Sequence, residues 1–215
     1  MSSAAAFILA HTAVESPPLV PELRLHLATE LTPLWEATES WLERHAVAPP
    51  YWAFAWAGGQ ALARYLLDNV RLVSGRDVLD FGCGSGLVAI AGARAGATAA
   101  AVDIDPLARA ATALNAALNG AAVALIDGDV LDDGHGAPWG VVLAGDMFYE
   151  RGLAERALPW LERQAQAGAL VLLGDAGRAY MPKDRLVELA RYTVPTSREI
   201  EDREAREGTV WRLLP

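Results

Sequence analysis

Cysteine and lysine are almost missing from this chain, and each shortage excludes a class of protein. Cys83 is the only cysteine, so no internal disulfide and no metal cluster built on several thiolates can form. Lys183 is the only lysine among 18 basic residues, and it follows Pro182. A nucleotide-binding P-loop needs a lysine directly after glycine, so that loop is excluded. A Schiff-base mechanism is disfavoured for the same reason.

Patterns for metal binding, membrane crossing and export are also missing. The four histidines show no HxH or HExxH spacing, so we predict no metal site. Charged residues interrupt the chain too often for the ~20 apolar residues that cross a membrane. The apolar run at 4–10 has no basic residue before it, and the first arginine is Arg24, which disfavours secretory and transit peptides. We expect a cytoplasmic protein.

Acidic residues exceed basic ones by 27 to 18, which gives a net charge of −9 at pH 7. Nucleic acid is not an expected partner, because phosphates attract basic surfaces, whereas a basic protein partner is compatible. The 215 residues, 53% of them hydrophobic, suit one domain with a sizeable core. We expect a monomer with an N-terminal appendage at 1–48, frayed at its start, and a main domain at 49–215.

Short apolar strands alternate with helices through most of the main domain. This rhythm predicts an α/β fold with a parallel sheet and helices on both of its faces. Two further strands at the end of the chain, joined by an acidic turn, predict an antiparallel pair. The predicted strands are 22–29, 77–81, 99–102, 123–126, 140–144, 169–173, 193–200 and 209–214. The predicted helices are 60–67, 87–95, 106–119, 153–165 and 184–192, and 32–44 is either a helix or an irregular arm.

A glycine-rich loop follows the strand at 77–81. The segment DFGCGSG at 80–86 has glycine at every second position, directly before a helix. Glycine lets a backbone turn sharply and approach a ligand closely. Leu87 stands where a nicotinamide dinucleotide fold has its third glycine, which disfavours an oxidoreductase. The pattern instead resembles motif I of class I S-adenosylmethionine-dependent methyltransferases. That resemblance implies that the methionine end of the cofactor S-adenosylmethionine lies against Asp80, Gly82, Gly84 and Gly86.

Two carboxylates follow the next two strands. Asp103 ends the second strand, where a carboxylate can accept hydrogen bonds from both ribose hydroxyls of a nucleoside. Asp105 is better suited to cap the helix that starts at Pro106. Asp129 follows the third strand, in the loop that the resemblance places beside adenine. The alternative for Asp129 is an ordinary solvated acidic loop.

The fourth strand runs into the segment GDMFYE at 145–150. Ligands of open α/β sheets lie outside the carboxyl ends of the strands, so Asp146, Phe148 and Tyr149 are predicted at the mouth of the site. Several branches of the methyltransferases that the chain resembles use Asp or Asn here to hold the accepting nitrogen. The alternative is that the two aromatic residues pack in the core and Asp146 caps a helix.

Six segments together resemble a narrower group, the family of electron transfer flavoprotein β-subunit lysine methyltransferases. Its branch of seven-strand protein lysine methyltransferases carries a [D/E]xx[Y/F] motif after strand four, which here runs from Asp146 to Tyr149. The resemblance implies a Rossmann-like class I methyltransferase fold with a mostly parallel seven-stranded sheet. The resemblance spans 21–213. Its segments are PYWAFAWAGGQALARYLLDN (50–69), DVLDFGCGSG (77–86), DIDP (103–106), GDMFYE (145–150), GDAGR (174–178) and TVW (209–211).

The resemblance also implies a reaction. A neutral lysine amine of the electron transfer flavoprotein β subunit would attack the methyl group of S-adenosylmethionine in line. Asp146 would dock the amine, and an aromatic channel would lower the pKa of that amine. The expected channel residues are Phe148, Tyr149 and Trp52; Trp56 is expected beside the cofactor; Glu150 and Arg178 are expected on the substrate side.

Alternatives stay open for single residues and for the whole chain. Trp56 could simply pack in the core, and Arg178 could form an exposed salt bridge. A methyltransferase of the same fold could act on a ribosomal protein or a small amine. A third possibility is an inactive regulatory module that only binds the cofactor.

Overall fold

The first part of the chain forms a small unit that packs on the main domain. The computed structural model describes residues 3–28, 49–132, 139–182, 184–196 and 204–215. Helix α1 (Ser3–His11) precedes strands β1 (Ala13–Glu15) and β2 (Leu25–Leu27), which pair antiparallel. Ile8 is fully buried in a cluster with Trp52 and Ala108. Residues 3–11 therefore form a packed helix rather than the frayed start that the sequence predicts, because burial of the apolar Ile8 side chain stabilises the helix.

Two expectations for the N-terminal region have different outcomes. The strand predicted at 22–29 is shorter, Leu25–Leu27. The arm predicted at 32–44 lies outside the described residues, and so does the proposed boundary at 48, which stays a prediction.

Seven strands form the main sheet. They are β3 (Asp77–Phe81), β4 (Thr98–Val102), β5 (Val123–Ile126), β6 (Val141–Gly145), β7 (Leu170–Asp175), β8 (Leu186–Pro195) and β9 (Ala205–Leu213). Their order in the sheet is β5-β4-β3-β6-β7-β9-β8. Strands β3 to β7 are parallel, and β9 pairs antiparallel with both β7 and β8. This confirms the mostly parallel sheet with an antiparallel pair at its end.

Helices cover both faces of this sheet, as the sequence predicts. They are α2 (Ala57–Asp68), α3 (Leu87–Arg94), α4 (Pro106–Leu118) and α5 (Arg151–Gln166). Leu79 of β3 packs in one core cluster with Trp160 of α5, whereas its neighbour Val78 packs in another with Leu62 of α2. Alternate strand residues point to opposite faces, so a strand buried on both faces must be apolar throughout. No helix within the described ranges is long and apolar enough to cross a membrane.

The helix predicted at 184–192 is wrong. Residues from Leu186 to Pro195 form strand β8, which pairs with β9 along its length, and residue 183 lies outside the described residues. A register shift between Glu188 and Ala190 interrupts the regular alternation of the strand. That irregular alternation resembles helical spacing, and the hydrogen bonds to β9 override the local preference.

Glycines bring the start of helix α2 against the carboxyl edge of the sheet. A Cβ atom added to Gly58 would lie 2.6 Å from the carbonyl oxygen of Gly174 and 2.6 Å from Oδ2 of Asp146. A Cβ atom added to Gly208 in β9 would lie 2.7 Å from that of Ala61. A residue larger than glycine at 58 would collide with these atoms of Gly174 and Asp146 at the ends of β7 and β6. The segment WAGG at 56–59 therefore allows the N-terminus of α2 to approach the ends of these two strands closely.

Candidate active site

A cavity of about 420 Å³ opens at the carboxyl ends of the central parallel strands. Its size falls within the usual range for a cofactor or substrate site. The position agrees with the expectation that ligands bind outside the carboxyl ends of the strands. Nine of the residues singled out from the sequence line it: Trp52, Trp56, Gly82, Gly84, Asp103, Asp129, Asp146, Tyr149 and Arg178.

The glycine loop forms one wall of this cavity. Gly82, Gly84 and Gly86 have φ angles of 69°, 50° and 80°, in the left-handed region that residues with a side chain rarely adopt. A Cβ atom on Gly82 would collide with the side chain of Met147, which also lines the cavity. Gly86 lies outside the cavity at the N-cap of α3, where a Cβ atom would lie 2.8 Å from the Thr112 side chain. Gly86 therefore shapes the loop from behind.

Asp80 also lies behind the loop. Its Oδ2 accepts a hydrogen bond from the backbone N–H of Ala89 at 2.9 Å, and the residue is almost fully buried. Burial raises the pKa of this carboxyl to about 7. Asp80 does not line the cavity, so the structure makes it a link between the loop and helix α3.

Asp103 presents its carboxylate to the cavity from the end of β4. Oδ2 accepts the N–H of Gly84 and Oδ1 accepts the N–H of Asp105, each at 3.0 Å. Burial raises the pKa of this carboxyl. Each carboxylate oxygen accepts two hydrogen bonds, so both retain a lone pair for a diol. Asp105 caps helix α4 by accepting the N–H of Leu107 at 2.7 Å, as predicted.

Asp129 lines the cavity, but its carboxylate is already engaged. Oδ1 accepts the N–H of Leu131 at 2.9 Å, and Oδ2 accepts a hydrogen bond from Arg156 at 2.8 Å. Ile104 and Val130 line the same part of the cavity, and Ile104 is 70% exposed. Two apolar side chains and a carboxylate beside an open space suit a ligand with a flat ring that has polar atoms at its edge.

Asp146 is the buried carboxylate at the end of β6. Its φ angle of 53° is unusual for a residue with a side chain, and its N–H donates to the carbonyl of Gly174 at 2.8 Å. Oδ2 accepts the N–H of Gly59 at 3.0 Å, and Oδ1 accepts Nε–H of Arg178 at 2.8 Å. Burial raises the pKa of this carboxyl to about 6, although the Arg178 cation opposes that rise. At neutral pH the carboxylate is mostly ionised.

Aromatic rings stand around this carboxylate at the mouth of the cavity. The ring centres of Tyr51 and Tyr149 lie 5.1 Å apart, and those of Tyr51 and Trp56 lie 6.2 Å apart. Nε1–H of Trp56 donates to the carbonyl of Tyr51 at 2.9 Å, and the Arg178 guanidinium lies 5.3 Å from the Trp56 ring centre. Burial raises the pKa of Tyr149 to about 12, so its hydroxyl stays neutral. A cation that enters here meets both a carboxylate and aromatic faces.

Phe148 lies in the core rather than in the channel that the sequence predicts, whereas the expected substrate-side role of Glu150 stays a prediction. Phe148 is 2% exposed and packs in the core cluster of α5, so it is not a wall of the cavity. The left-handed turn at Asp146 leaves Tyr149, rather than Phe148, at the mouth. Glu150 is exposed at the N-cap of α5 and does not line the cavity. Trp52 is almost fully buried. It forms the floor of the cavity and packs in one cluster with Ile8.

Several lining residues have no sequence motif that identifies them. Tyr51 lies in the aromatic segment before α2, and Ile104 is an apolar residue between two acidic ones, which is a weak signal of a ligand contact. Met147 is an unspecified position within the motif after β6, Leu153 follows that motif, and Arg156 reaches the cavity from α5. Their roles depend on which helix and loop faces meet, and spacing along the chain does not show that.

Comparison with known proteins links this geometry to a family. A family model described as "Ribosomal protein L11 methyltransferase (PrmA)" matches residues 60–144. The electron transfer flavoprotein beta subunit lysine methyltransferase of Xenopus laevis is 41% identical over 97% of this chain and 86% of its own length. The protein of the same name from Danio rerio is 40% identical over 96% of this chain and 81% of its own length.

Solved structures support the fold. The magnesium protoporphyrin IX methyltransferase of Synechocystis PCC 6803, crystallised with bound SAM, superposes with a TM-score of 0.53 at 18% identity. That likeness covers 72% of this chain and 77% of the other. The class I methyltransferase fold expected from the glycine loop is thus confirmed. Together with the identity to the frog and fish proteins along almost the whole chain, it makes this chain a member of the electron transfer flavoprotein β-subunit lysine methyltransferase family.

Proposed function

We propose that this protein transfers a methyl group from S-adenosylmethionine to a lysine of the electron transfer flavoprotein β subunit. The observation that carries the proposal is the placement of Asp146. A buried, ionised carboxylate with aromatic neighbours opens into the same cavity as the glycine loop and Asp103. The names of the relatives, which match this chain almost end to end, supply the protein substrate.

The residues of the cavity fit the proposed cofactor. Gly82 and Gly84 expose backbone where a side chain would fill the space, and Asp103 keeps lone pairs for a ribose diol. Ile104 and Val130 offer apolar faces for a base. When bound, this cofactor supplies an electrophilic methyl group on a sulfonium.

The chain's own residues would then act on the amine. Asp146 accepts N–H groups of the lysine and turns the nitrogen lone pair toward the methyl carbon. The aromatic residues Tyr51, Trp56 and Tyr149 exclude water and disfavour the ammonium form, which lowers the pKa of the lysine. The lone pair would form the new N–C bond as the C–S bond to the sulfonium breaks, which leaves a neutral thioether, and one proton of the methylated amine would pass to solvent. Orientation of this kind can supply ~7–11 kcal/mol of the barrier.

The test is methylation of recombinant electron transfer flavoprotein with radiolabelled S-adenosylmethionine, followed by separation of the subunits. We expect label on the β subunit. Asp146→Asn keeps the shape of the side chain but removes its charge, so transfer should fall about 100-fold, the scale expected when a reacting group loses its orientation. Asp127→Asn is the matched control, since that carboxylate is 92% exposed, and its activity should stay unchanged.

Two results would contradict the proposal in different ways. Ribosomal protein L11 is included as a second acceptor because the matching family model bears that name. Label on L11 alone would keep the reaction and replace the substrate. No label on either protein, with cofactor binding intact by calorimetry, would favour a module that binds the cofactor without transfer.

A further inference from the structure

Arg178 and Asp146 form an ion pair inside the cavity. The Arg178 Nε–H donates to Asp146 Oδ1 at 2.8 Å, and their side chains are only 18% and 5% exposed. The guanidinium also lies 5.3 Å from the centre of the Trp56 ring. A cation therefore already occupies one side of the carboxylate that we assign to the lysine amine.

The backbone at Arg178 is held in place by the end of β7. Asp175 Oδ1 accepts the N–H of Gly177 at 2.7 Å and the N–H of Arg178 at 2.8 Å. Asp175 is itself buried. Separation of the pair would leave the buried Asp146 charge without its counterion, which is costly. The arrangement therefore favours Arg178 remaining paired with Asp146 when the substrate enters, rather than being displaced by the substrate.

Asp146 keeps room for an amine while paired. One oxygen accepts the N–H of Gly59 and the other accepts Arg178, which uses one lone pair on each. A carboxylate offers about four lone-pair sites, so an amine N–H can bind either oxygen without breaking these bonds. The N-terminus of α2, which provides Gly59, adds partial positive charge on the same side.

A lone carboxylate would oppose the reaction. An ammonium docked on it would hold its proton, whereas transfer requires the neutral amine. A second fixed cation beside a lysine favours the neutral form of that lysine. The Arg178 guanidinium supplies such a charge at the docking carboxylate.

We propose that Arg178 is a positioning residue: it remains paired with Asp146 during methyl transfer and neutralises that carboxylate, so that a docked lysine sheds its proton to solvent. This inference rests on the proposed role of Asp146 and goes beyond it, because Arg178 acts on the amine through Asp146. The Trp56 ring, which lies against the guanidinium, strengthens the effect by keeping water from that side of the pair.

Other charges near the pair do not replace Arg178. Asp175 has the same charge as Asp146 and opposes its ionisation. Arg156, the other arginine among the described lining residues, is engaged by Asp129 and Asp132. The other titratable groups among the lining residues that the structure describes are Tyr51, Tyr149, Asp103 and Asp105, none of which is cationic.

The experiment compares Arg178→Met and Arg178→Lys with the unchanged protein, by kcat for methylation of the β subunit at saturating substrate from about pH 6.5 to pH 9.5, because kcat reports the ionisations of the enzyme–substrate complex. Without the cation, Asp146 and the docked amine together retain a proton to higher pH, whichever group carries it. For Arg178→Met, the rising limb of the pH–rate profile should therefore shift to higher pH by about one unit. The rate should be about tenfold lower near pH 7.5, and the difference should become smaller at pH 9.5. Arg178→Lys should restore the limb. Arg191→Met, which removes an exposed pair with Glu188, should leave it unchanged.

Two outcomes would overturn the inference: an equal loss for Arg178→Met at every pH, which is the mark of a purely structural role, or no loss at all. A carbon NMR titration of the Asp146 carboxyl separates this inference from the proposed function. In Arg178→Met its pKa should rise by about one unit or more, because a buried carboxylate loses its counterion. An unchanged Asp146 pKa overturns the inference even if no methyl transfer is found, whereas transfer to another substrate overturns only the proposed acceptor.

Discussion

At the scale of single residues, three carboxylates, two of them buried and Asp103 partly buried, line or support the site with different partners. Asp146 has an arginine counterion, Asp103 has two backbone N–H groups, and Asp80 accepts a hydrogen bond from the backbone N–H of Ala89. The pKa of Asp80 rises to about 7 mainly through burial, with a smaller contribution from the like charge of Asp103. Ionisation of Asp80 is therefore a cost of folding rather than a gain.

This cost predicts a pH dependence of stability. A carboxyl whose folded pKa is raised stabilises the fold below its unfolded pKa, and that stability is lost as pH rises through the folded pKa. Between about pH 5 and pH 8 the free energy of unfolding of the unchanged protein should therefore fall by about 2–3 kcal/mol relative to Asp80→Asn, which cannot ionise. Urea unfolding at several pH values measures this difference. The exposed Asp127→Asn is the control, and a difference for Asp80→Asn that stays flat with pH would contradict the assignment.

At the scale of elements, the start of helix α2 is the part of the fold that assembles the site. Its backbone N–H at Gly59 binds Asp146, and its first turn contacts the ends of β6 and β7 with no side chain between them. Glycine at 58 is required by space, since an added Cβ atom would meet backbone atoms of Gly174 and Asp175 at 2.6 and 2.7 Å. A Cβ atom added to the neighbouring Gly59 would meet only a methyl group of Val88, at 3.9 Å.

The two glycines therefore form a matched pair of tests. Gly58→Ala should lower the free energy of unfolding by about 1–3 kcal/mol through overpacking, and it should reduce methyl transfer by pushing α2 away from Asp146. Gly59→Ala should be neutral or stabilising by up to about 1 kcal/mol, because alanine is the better helix former and its N–H remains. Chemical unfolding and transfer assays of both variants give the comparison. Equal effects in both would mean that the close approach at Gly58 is unimportant.

At the scale of the whole molecule, the N-terminal unit connects to the cavity through one cluster. Ile8 of α1 packs in the same cluster as Trp52 and Ala108, and both of these line the cavity. The first helix is thus part of the support of the site, although it lies far from the glycine loop in the sequence.

Truncation of Ile8 tests this connection. Ile8→Ala should lower the free energy of unfolding by about 2–5 kcal/mol, the usual cost of such a core deletion. It should also weaken binding of S-adenosylhomocysteine by calorimetry, because the floor at Trp52 loses its support. Leu9→Ala is the control on the exposed side of the helix, since Leu9 is 40% exposed, and it should change stability by less than about 0.5 kcal/mol. Unchanged binding in a destabilised Ile8→Ala variant would show that the unit acts on stability alone.

The glycine loop, the capping role of Asp105, the parallel strands and the family could all be predicted from the sequence. These features depend on local rules: apolar strands buried on both faces, glycine at positive φ, and an N-cap carboxylate beside proline. They can be identified from neighbouring residues alone.

Which of these residues share a site depends on the tertiary structure. Phe148 packs in the core and Tyr149 lies at the mouth because Asp146 turns through a left-handed backbone conformation. Residues 186–195 form a strand because β9 offers hydrogen bonds along its length. Arg178 reaches Asp146 across 32 positions of chain, and the α2 N-terminus reaches it across 87. Contacts over such separations depend on how helices and strands pack, and local residue patterns carry no signal of that packing.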